Sequence, residues 1–245
     1  MQTETPPRVL VERHGSTAWL TLDGARQRNA LDEIMLTDLD RVLTALRDDE
    51  SVRVVVLTGA PPVFSAGAKT GVKSTSTAQE RGQAFAGRKS NFRRLFERCT
   101  AQLEQLEQVT IAMVNGHAVG AGWGLALTCD FCVAAEAAQF WIPEVELGVL
   151  LGVGSTTRLV RAVGPWRAKA IVLEGRRFGA AELQQLGLVH RVAAAERLRE
   201  DTDALADALA AKPFAPLAQM KARINAIARN ATPEVSVVTE HFLAR

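Results

Sequence analysis

The 245-residue chain contains only three cysteines, Cys99, Cys129 and Cys132. So few, and an odd number, cannot form a disulfide framework, and a reducing compartment, by default the cytoplasm, is expected. Charge of one sign is also lacking. Lys and Arg total 29 against 27 Asp and Glu, a net charge of +2 that gives no reason to expect a nucleic-acid or membrane-surface partner. The first residues, Met1-Gln2-Thr3-Glu4-Thr5-Pro6-Pro7, lack the basic-then-apolar order of an export leader. An uncharged stretch, Ile111 to Cys129, approaches the length of a membrane span, but Asn115, His117 and several glycines interrupt it. It reads instead as a buried strand, a tight loop and a core helix.

What is present is the composition of an ordinary globular protein, 47% hydrophobic and 23% charged. At about 150 residues per domain, the length fits one large domain or one with an appendage. Val9–Arg13 and Ala18–Leu22, joined through His14-Gly15-Ser16, predict a β-hairpin. Leu31 to Asp48 carries Leu31, Met35, Leu39, Val42, Leu43 and Leu46 at helical spacing. The β-branched run Val52 to Gly59 predicts a strand buried on both faces. A Gly/Ser/Thr-rich loop from Ser65 to Thr77, expected to be mobile, leads to a helical stretch from about Ala78 to Gln108. Val109–Asn115 and Asp130–Ala135 read as further strands around a short helix, Gly122–Thr128. Repeated strand, loop and helix imply an α/β core with crossover connections. After about Ala193 the pattern is helical: Ala195–Ala211, Pro216–Asn230 and Pro233–Arg245. Apolar positions there, including Leu205, Leu209, Leu217, Met220, Ile224 and Ile227, require cover from the core or from another subunit.

Familiar short motifs are incomplete. Gly67-Ala68-Lys69-Thr70 and Gly71-Val72-Lys73-Ser74 lack the adjacent Gly-Lys that would deliver a lysine to phosphates. Gly120-Ala121-Gly122-Trp123-Gly124 and Gly152-Val153-Gly154 do not complete a dinucleotide fingerprint. Cys129-Asp130-Phe131-Cys132 has no second cysteine pair to complete a zinc site and reads as structural. His14, His117, His190 and His241 fall into no triad order.

Another constellation uses more residues. Phe64-Ser65-Ala66-Gly67-Ala68 follows a buried strand and a Pro-Pro turn, so small side chains let backbone N–H groups approach a ligand. Val114 to Gly122 again runs from strand through a small-residue loop into a helix start, where amides lack helical partners. The N–H groups of Ala68 and Ala121 are candidate donors to one developing oxyanion, although two tight turns that serve only packing would read the same.

Arg28-Asn29-Ala30-Leu31, Phe64-Ser65-Ala66-Gly67-Ala68, Val114 to Gly122, Cys129-Asp130, Ala138-Gln139-Phe140, Pro143-Glu144 and Gly187-Leu188-Val189 occur in that order. Through them the chain resembles the crotonase superfamily, which includes enoyl-CoA hydratases and isomerases, from about Val9 to Asn230. The resemblance implies a spiral of stacked ββα units, with an acyl-CoA-binding core over residues 1–193. Residues 194–245 would form a helical region for oligomerisation and pocket cover, in a homotrimer or homohexamer. It implies an acyl-CoA thioester as substrate, coenzyme A arriving as part of it, and no separate cofactor, metal, nucleic acid or membrane. It also places Ala68 and Ala121 at the oxyanion hole. The family usually has glycine at the second position; the N–H of Ala121 survives and its methyl narrows the approach.

Glu144 lies among apolar neighbours in Phe140-Trp141-Ile142-Pro143-Glu144-Val145-Glu146. Burial there would raise its pKa into a useful acid/base range. The resemblance makes it the glutamate that moves a proton at carbon 2 or carbon 4. Glu146, of the same parity on an extended segment, is a reserve candidate. The family's best-known hydratases carry a second glutamate where this chain has Gly124. One carboxylate still suffices to move a proton between carbons, so double-bond isomerisation fits better than hydration, which stays open as the alternative. Less favoured are decarboxylation and non-catalytic acyl-CoA binding. For CoA and substrate the resemblance points to Arg28 for the phosphates, the backbone of Ala66 for the adenine, and Gly120. Lys69, where the family has Asp or another polar residue, is expected either as a solvated loop lysine or near a carboxylate or phosphate. The chain ends at Arg245, before a last helix that in the family often covers the CoA, which puts pocket closure in question.

Overall fold

The two β-branched runs are buried at every position. β3 (Val54–Gly59) and β4 (Val109–Val114) present no exposed side chain on either face, as parallel strands covered on both sides must. The computed structural model describes residues 8–69, 89–148 and 154–231. β1 (Arg8–His14) and β2 (Thr17–Asp23) pair antiparallel, with Val9 opposite Leu22 and His14 opposite Thr17. β3, β4, β6 (Phe131–Ala135) and β9 (Arg191–Ala193) then add in parallel, giving the order β1-β2-β3-β4-β6-β9. A second sheet of three short strands holds β5 (Ala118–Val119), β7 (Gln139–Trp141) and β8 (Phe178–Gly179), in the order β5-β7-β8.

Helices cover the large sheet and connect its strands. α1 (Glu33–Arg47) starts at Asp32, whose carboxylate accepts from the Met35 N–H at 3.0 Å. Its face of Met35, Leu36, Leu39, Val42, Leu43 and Leu46 is buried, and α2 (Lys89–Gln105) packs along it. Between these two helices Arg98 and Gln102 both bond the buried Asp40. α3 (Ala121–Ala126) is short and wholly buried. α4 (Ser155–Glu174) is broken at Gly164, φ 75°, just before Pro165, since a proline cannot continue the helical hydrogen bonding. α5 (Ala180–Gln185), α6 (Leu198–Ala210) and α7 (Phe214–Ala231) complete the described residues. α6 lays Leu205, Ala206 and Leu209 on the large sheet.

The uncharged stretch from Ile111 is β4, a turn, β5 and α3, and no helix among the described residues is long and apolar enough to cross a membrane. Cys129 and Cys132 are unpaired at the α3-to-β6 junction, where burial pushes both thiols upward, that of Cys132 to about 12. One expectation is corrected. The start of the Ser65–Thr77 loop is pinned by short parallel bridges, Leu31 to Ala68 and Ser65 to Ala118, with Lys69 N–H on Leu31 O at 2.7 Å. Its remainder, Thr70–Thr77, lies outside the described residues, as do residues 78–88 and 233–245, for which helices are expected from the sequence, and the Gly152-Val153 pair.

Candidate active site

The site is built from two loops at the ends of β3 and β4, held by one asparagine. Asn29 is fully buried, and its Nδ2 donates to the carbonyls of Ala60 and Val63 at 2.7 Å each and of Phe64 at 3.3 Å, while its Oδ1 accepts the Gly24 N–H. Ser65 Oγ donates to Asn29 O at 2.7 Å and accepts the Gly67 N–H at 3.1 Å. The second loop docks on the first through Val119 N–H to Ser65 O and the N–H groups of Phe64 and Ser65 to His117 O. Any Cβ at Gly122 would lie 2.8 Å from both the carbonyl oxygen and the Cβ of Ser65, so the two loops meet there with no room for a side chain on 122.

This docking brings the two candidate amides together. A Cβ at Gly67, whose φ is +84°, would lie 2.5 Å from Val119 O and 3.5 Å from Ala121 N. The Ala68 N–H follows directly on Gly67, so it is within one residue of the Ala121 N–H. Neither N–H has an acceptor among the described residues; that of Ala121 opens α3, where helical acceptors are missing.

Glu144 closes the arrangement. Its carboxylate rests on Gly120, the residue before Ala121: a Cβ there would be 2.4 Å from Oε1 and 3.1 Å from Cδ. Oε2 is buried without a hydrogen-bond partner among the described residues. Desolvation lifts the carboxyl from 4.5 to about 7, against a smaller opposing effect of its own backbone N–H. Gly120 is held by its N–H to Trp141 O at 2.9 Å, which fixes the strand leading into Pro143-Glu144.

Glu146 does not share this face. Residues 144–148 form a turn rather than extended backbone, with Leu147 N–H on Pro143 O, so alternation of sides does not apply. Glu146 is exposed and lies instead against Gly175, beyond α4, with its Oε1 3.2 Å from the Cβ position there. Gly124 marks a second meeting point: a Cβ would fall 2.4 Å from Ser155 Oγ and 3.2 Å from Phe96 Cζ. A side chain at 124 would displace the Ser155 hydroxyl from its present position.

Outside this centre, Arg28 is exposed in a left-handed conformation, φ 53°, and its carbonyl accepts the Ala66 N–H at 2.9 Å. Only the Ala66 carbonyl is then left for a ligand. Lys69 pairs with Asp32 at 3.3 Å, on the residue that caps α1. Sequence reasoning missed Asn29 as the knot between loops, and Ser155. The Asn within Arg28-Asn29-Ala30-Leu31 was visible, but nothing in the sequence says which distant carbonyls it reaches. Ser155 carries no local signal at all.

Comparison with known proteins identifies the architecture. The enoyl-CoA hydratase/isomerase family profile matches residues 12–243. A probable enoyl-CoA hydratase of Rhizobium meliloti is 35% identical over 218 residues, 89% of this chain and 80% of the relative. The 2,3-dehydroadipyl-CoA hydratase of Escherichia coli is 38% identical over 184 residues, 75% of this chain and 68% of that protein. Among solved structures, an enoyl-CoA hydratase subunit from Geobacillus kaustophilus superposes with a TM-score of 0.79 at 34% identity, covering 90% of this chain and 82% of the other. A monofunctional enoyl-CoA isomerase from M. smegmatis superposes with a TM-score of 0.76 at 30% identity, covering 92% and 96%. The sheet order, the helices around it and these matches agree that the chain has the crotonase fold and belongs to the enoyl-CoA hydratase/isomerase family of enzymes.

Proposed function

We propose that this enzyme shifts the double bond of an enoyl-CoA thioester from carbon 3 to carbon 2, with Glu144 as its only acid/base. The observation that carries this is a single buried carboxylate beside two uncommitted amides, at a site where Gly124 supplies no second one. The ionised Glu144 takes a proton from carbon 2 of the 3-enoyl thioester. The electron pair moves into the thioester, whose oxygen accepts the N–H groups of Ala68 and Ala121. In well-studied sites such a donor contributes about 3–4 kcal/mol. Glu144 then returns the proton to carbon 4, and the double bond closes between carbons 2 and 3. A carboxyl lifted to about 7 is available in both forms near neutral pH, as a two-way shuttle requires.

Arg28, exposed beside the Ala66 turn, is assigned to the CoA phosphates, the Ala66 carbonyl to the adenine, and Gly120 to the wall against which thioester and Glu144 meet. Lys69, paired with Asp32, is left as a solvated loop residue. A homotrimer or homohexamer is supported by α7, which exposes Met220, Ile224 and Ile227 by 54%, 60% and 61%. Three unpaired cysteines favour the cytoplasm.

Hydration is the second reading, favoured by the names of the relatives and by a buried hydroxyl, Ser155, next to the glycine that replaces a carboxylate. Separate incubation with 3-enoyl-CoA and 2-enoyl-CoA, followed by mass and ultraviolet absorbance, decides. Positional isomerisation without gain of water supports the proposal. Gain of water from 2-enoyl-CoA with no interconversion of the positional isomers overturns it.

A further inference from the structure

Ser155 is 1% exposed and its Oγ has no hydrogen-bond partner among the described residues. It opens α4, yet it is not spent as a cap, because the capping residue is Gly154 in a left-handed conformation. A buried hydroxyl is costly to leave unpaired, so its place needs a reason. That place is set by α3. Ser155 Oγ stands against Gly124, and the Glu144 carboxylate stands against Gly120. Gly124 N–H donates to Gly120 O at 2.9 Å, so these two glycines are one helical turn apart. Beside these two glycines, therefore, lie a carboxylate with an unpartnered Oε2 and a hydroxyl with no partner among the described residues, two polar groups that one shared water would satisfy.

We propose that Ser155 is a positioning residue that holds a water against Glu144 over carbon 3, so that the same site also hydrates 2-enoyl-CoA without a second carboxylate. The inference rests on the acyl-CoA reading of the site given above, but not on isomerisation. In the step, the water oxygen bonds to carbon 3 while the carbon 2–carbon 3 π pair moves into the thioester, whose oxygen is held by the Ala68 and Ala121 amides. Glu144 takes one proton from the water and delivers a proton to carbon 2. The net change is addition of one water; Ser155 keeps its own proton throughout. Because a side chain at 124 would press on the Ser155 hydroxyl, hydroxyl and second carboxylate are alternative ways of holding the same water.

The test is incubation of the full-length enzyme with 2-enoyl-CoA in heavy-oxygen water, scored by product mass, with isomerisation of 3-enoyl-CoA measured in parallel. Wild-type enzyme is expected to incorporate heavy oxygen at carbon 3. Ser155→Ala is expected to lower the ratio of hydration to isomerisation about tenfold. Ser155→Gly reads the same ratio should the alanine variant fold poorly. A merely structural serine would lower both activities together, and an unchanged ratio overturns the proposal. So does the absence of heavy oxygen in the wild-type product. Serine-dependent hydration without isomerisation leaves Ser155 standing and removes the isomerase reading; in that case the comparison between variants is made on hydration against acyl-CoA affinity. Isomerisation alone does the reverse.

Discussion

The large sheet and the loops that cross its end are held by opposite means. β3 and β4 contribute side chains that are buried on both faces, and the sheet coheres through apolar area spread over many residues. The loops contribute little apolar area. They are held by one asparagine serving three carbonyls, by one serine hydroxyl, and by glycines at which a single added carbon would collide with backbone or carboxylate. The first kind of construction tolerates small changes by repacking. The second concentrates its demands on a few atoms, which is what two amides and a carboxylate need to be fixed relative to one another.

The largest effect that sharpens this contrast is chemical. Glu144→Gln keeps the shape of the side chain and removes its proton transfer, and turnover is expected to fall by about 10²- to 10⁴-fold. Acyl-CoA affinity, measured by titration, should fall far less. If turnover is unchanged, the acid/base assignment is wrong. Next comes a matched pair on stability. Leu57→Ala, in the middle of β3 and fully buried, should cost about 2–5 kcal/mol in denaturant unfolding, while turnover per folded molecule is kept. Asn29→Ala should cost about 1–3 kcal/mol by leaving carbonyls unpaired, yet it should lower turnover as well, because the loop carrying Ala68 loses its anchor. Equal retention of activity in both variants would erase the distinction between the regions.

The same distinction explains what could be read from the sequence. β-branched runs announced β3 and β4, a short apolar run announced β6, and apolar spacing announced α1 and α6, because burial leaves a trace in the sequence. The small sheet left none: β5 and β8 are two residues each, too short for any period. α4 was hidden by Gly164-Pro165, which reads as a break and is one. Of the proposed site, Glu144 and the two alanines were singled out through ordered family motifs and the structure sets them side by side, whereas Glu146, kept in reserve on strand parity, follows Pro143 in a turn, not a strand. The C-terminal pattern treated α6 and α7 alike. α6 turns its apolar face to the sheet, but α7 is latched by polar contacts, Lys221 to Asp130 and to Gln108 O at 2.8 Å each and Asn225 to Glu104 O at 3.2 Å, and points apolar residues outward. Hydropathy alone cannot tell which face of such a helix meets the core.

A pH profile tests the desolvation of Glu144 directly. Its carboxyl titrates at about 7 in the folded chain against an ordinary 4.5, because burial disfavours the charge. Proton abstraction needs the carboxylate, so kcat/KM for 3-enoyl-CoA should fall about tenfold per pH unit below 7 and level off above it. The linked effect on folding has the opposite sense. Because the folded form keeps its proton to higher pH than the unfolded form, stability from this group is complete below 4.5 and is lost as pH rises through about 7. Glu144→Gln, which does not titrate, should flatten that part of the stability curve. A profile with its inflection at the ordinary carboxylate value would show a solvated acid.

The smallest expected effect belongs to Arg28, where the two kinds of construction meet. Its backbone is part of the loop framework, since its carbonyl holds the Ala66 N–H, while its side chain is exposed. Arg28→Ala removes only the exposed half and leaves the framework bond in place. A solvent-exposed charge on a CoA phosphate contributes at most about 1 kcal/mol, so KM should rise about two- to fivefold at low salt. The rise should shrink as salt screens the contact, and kcat should hold. A fall in kcat of the same size would mean that the substitution has disturbed the turn and with it the Ala68 amide; an unchanged KM at low salt would remove Arg28 from the phosphate site.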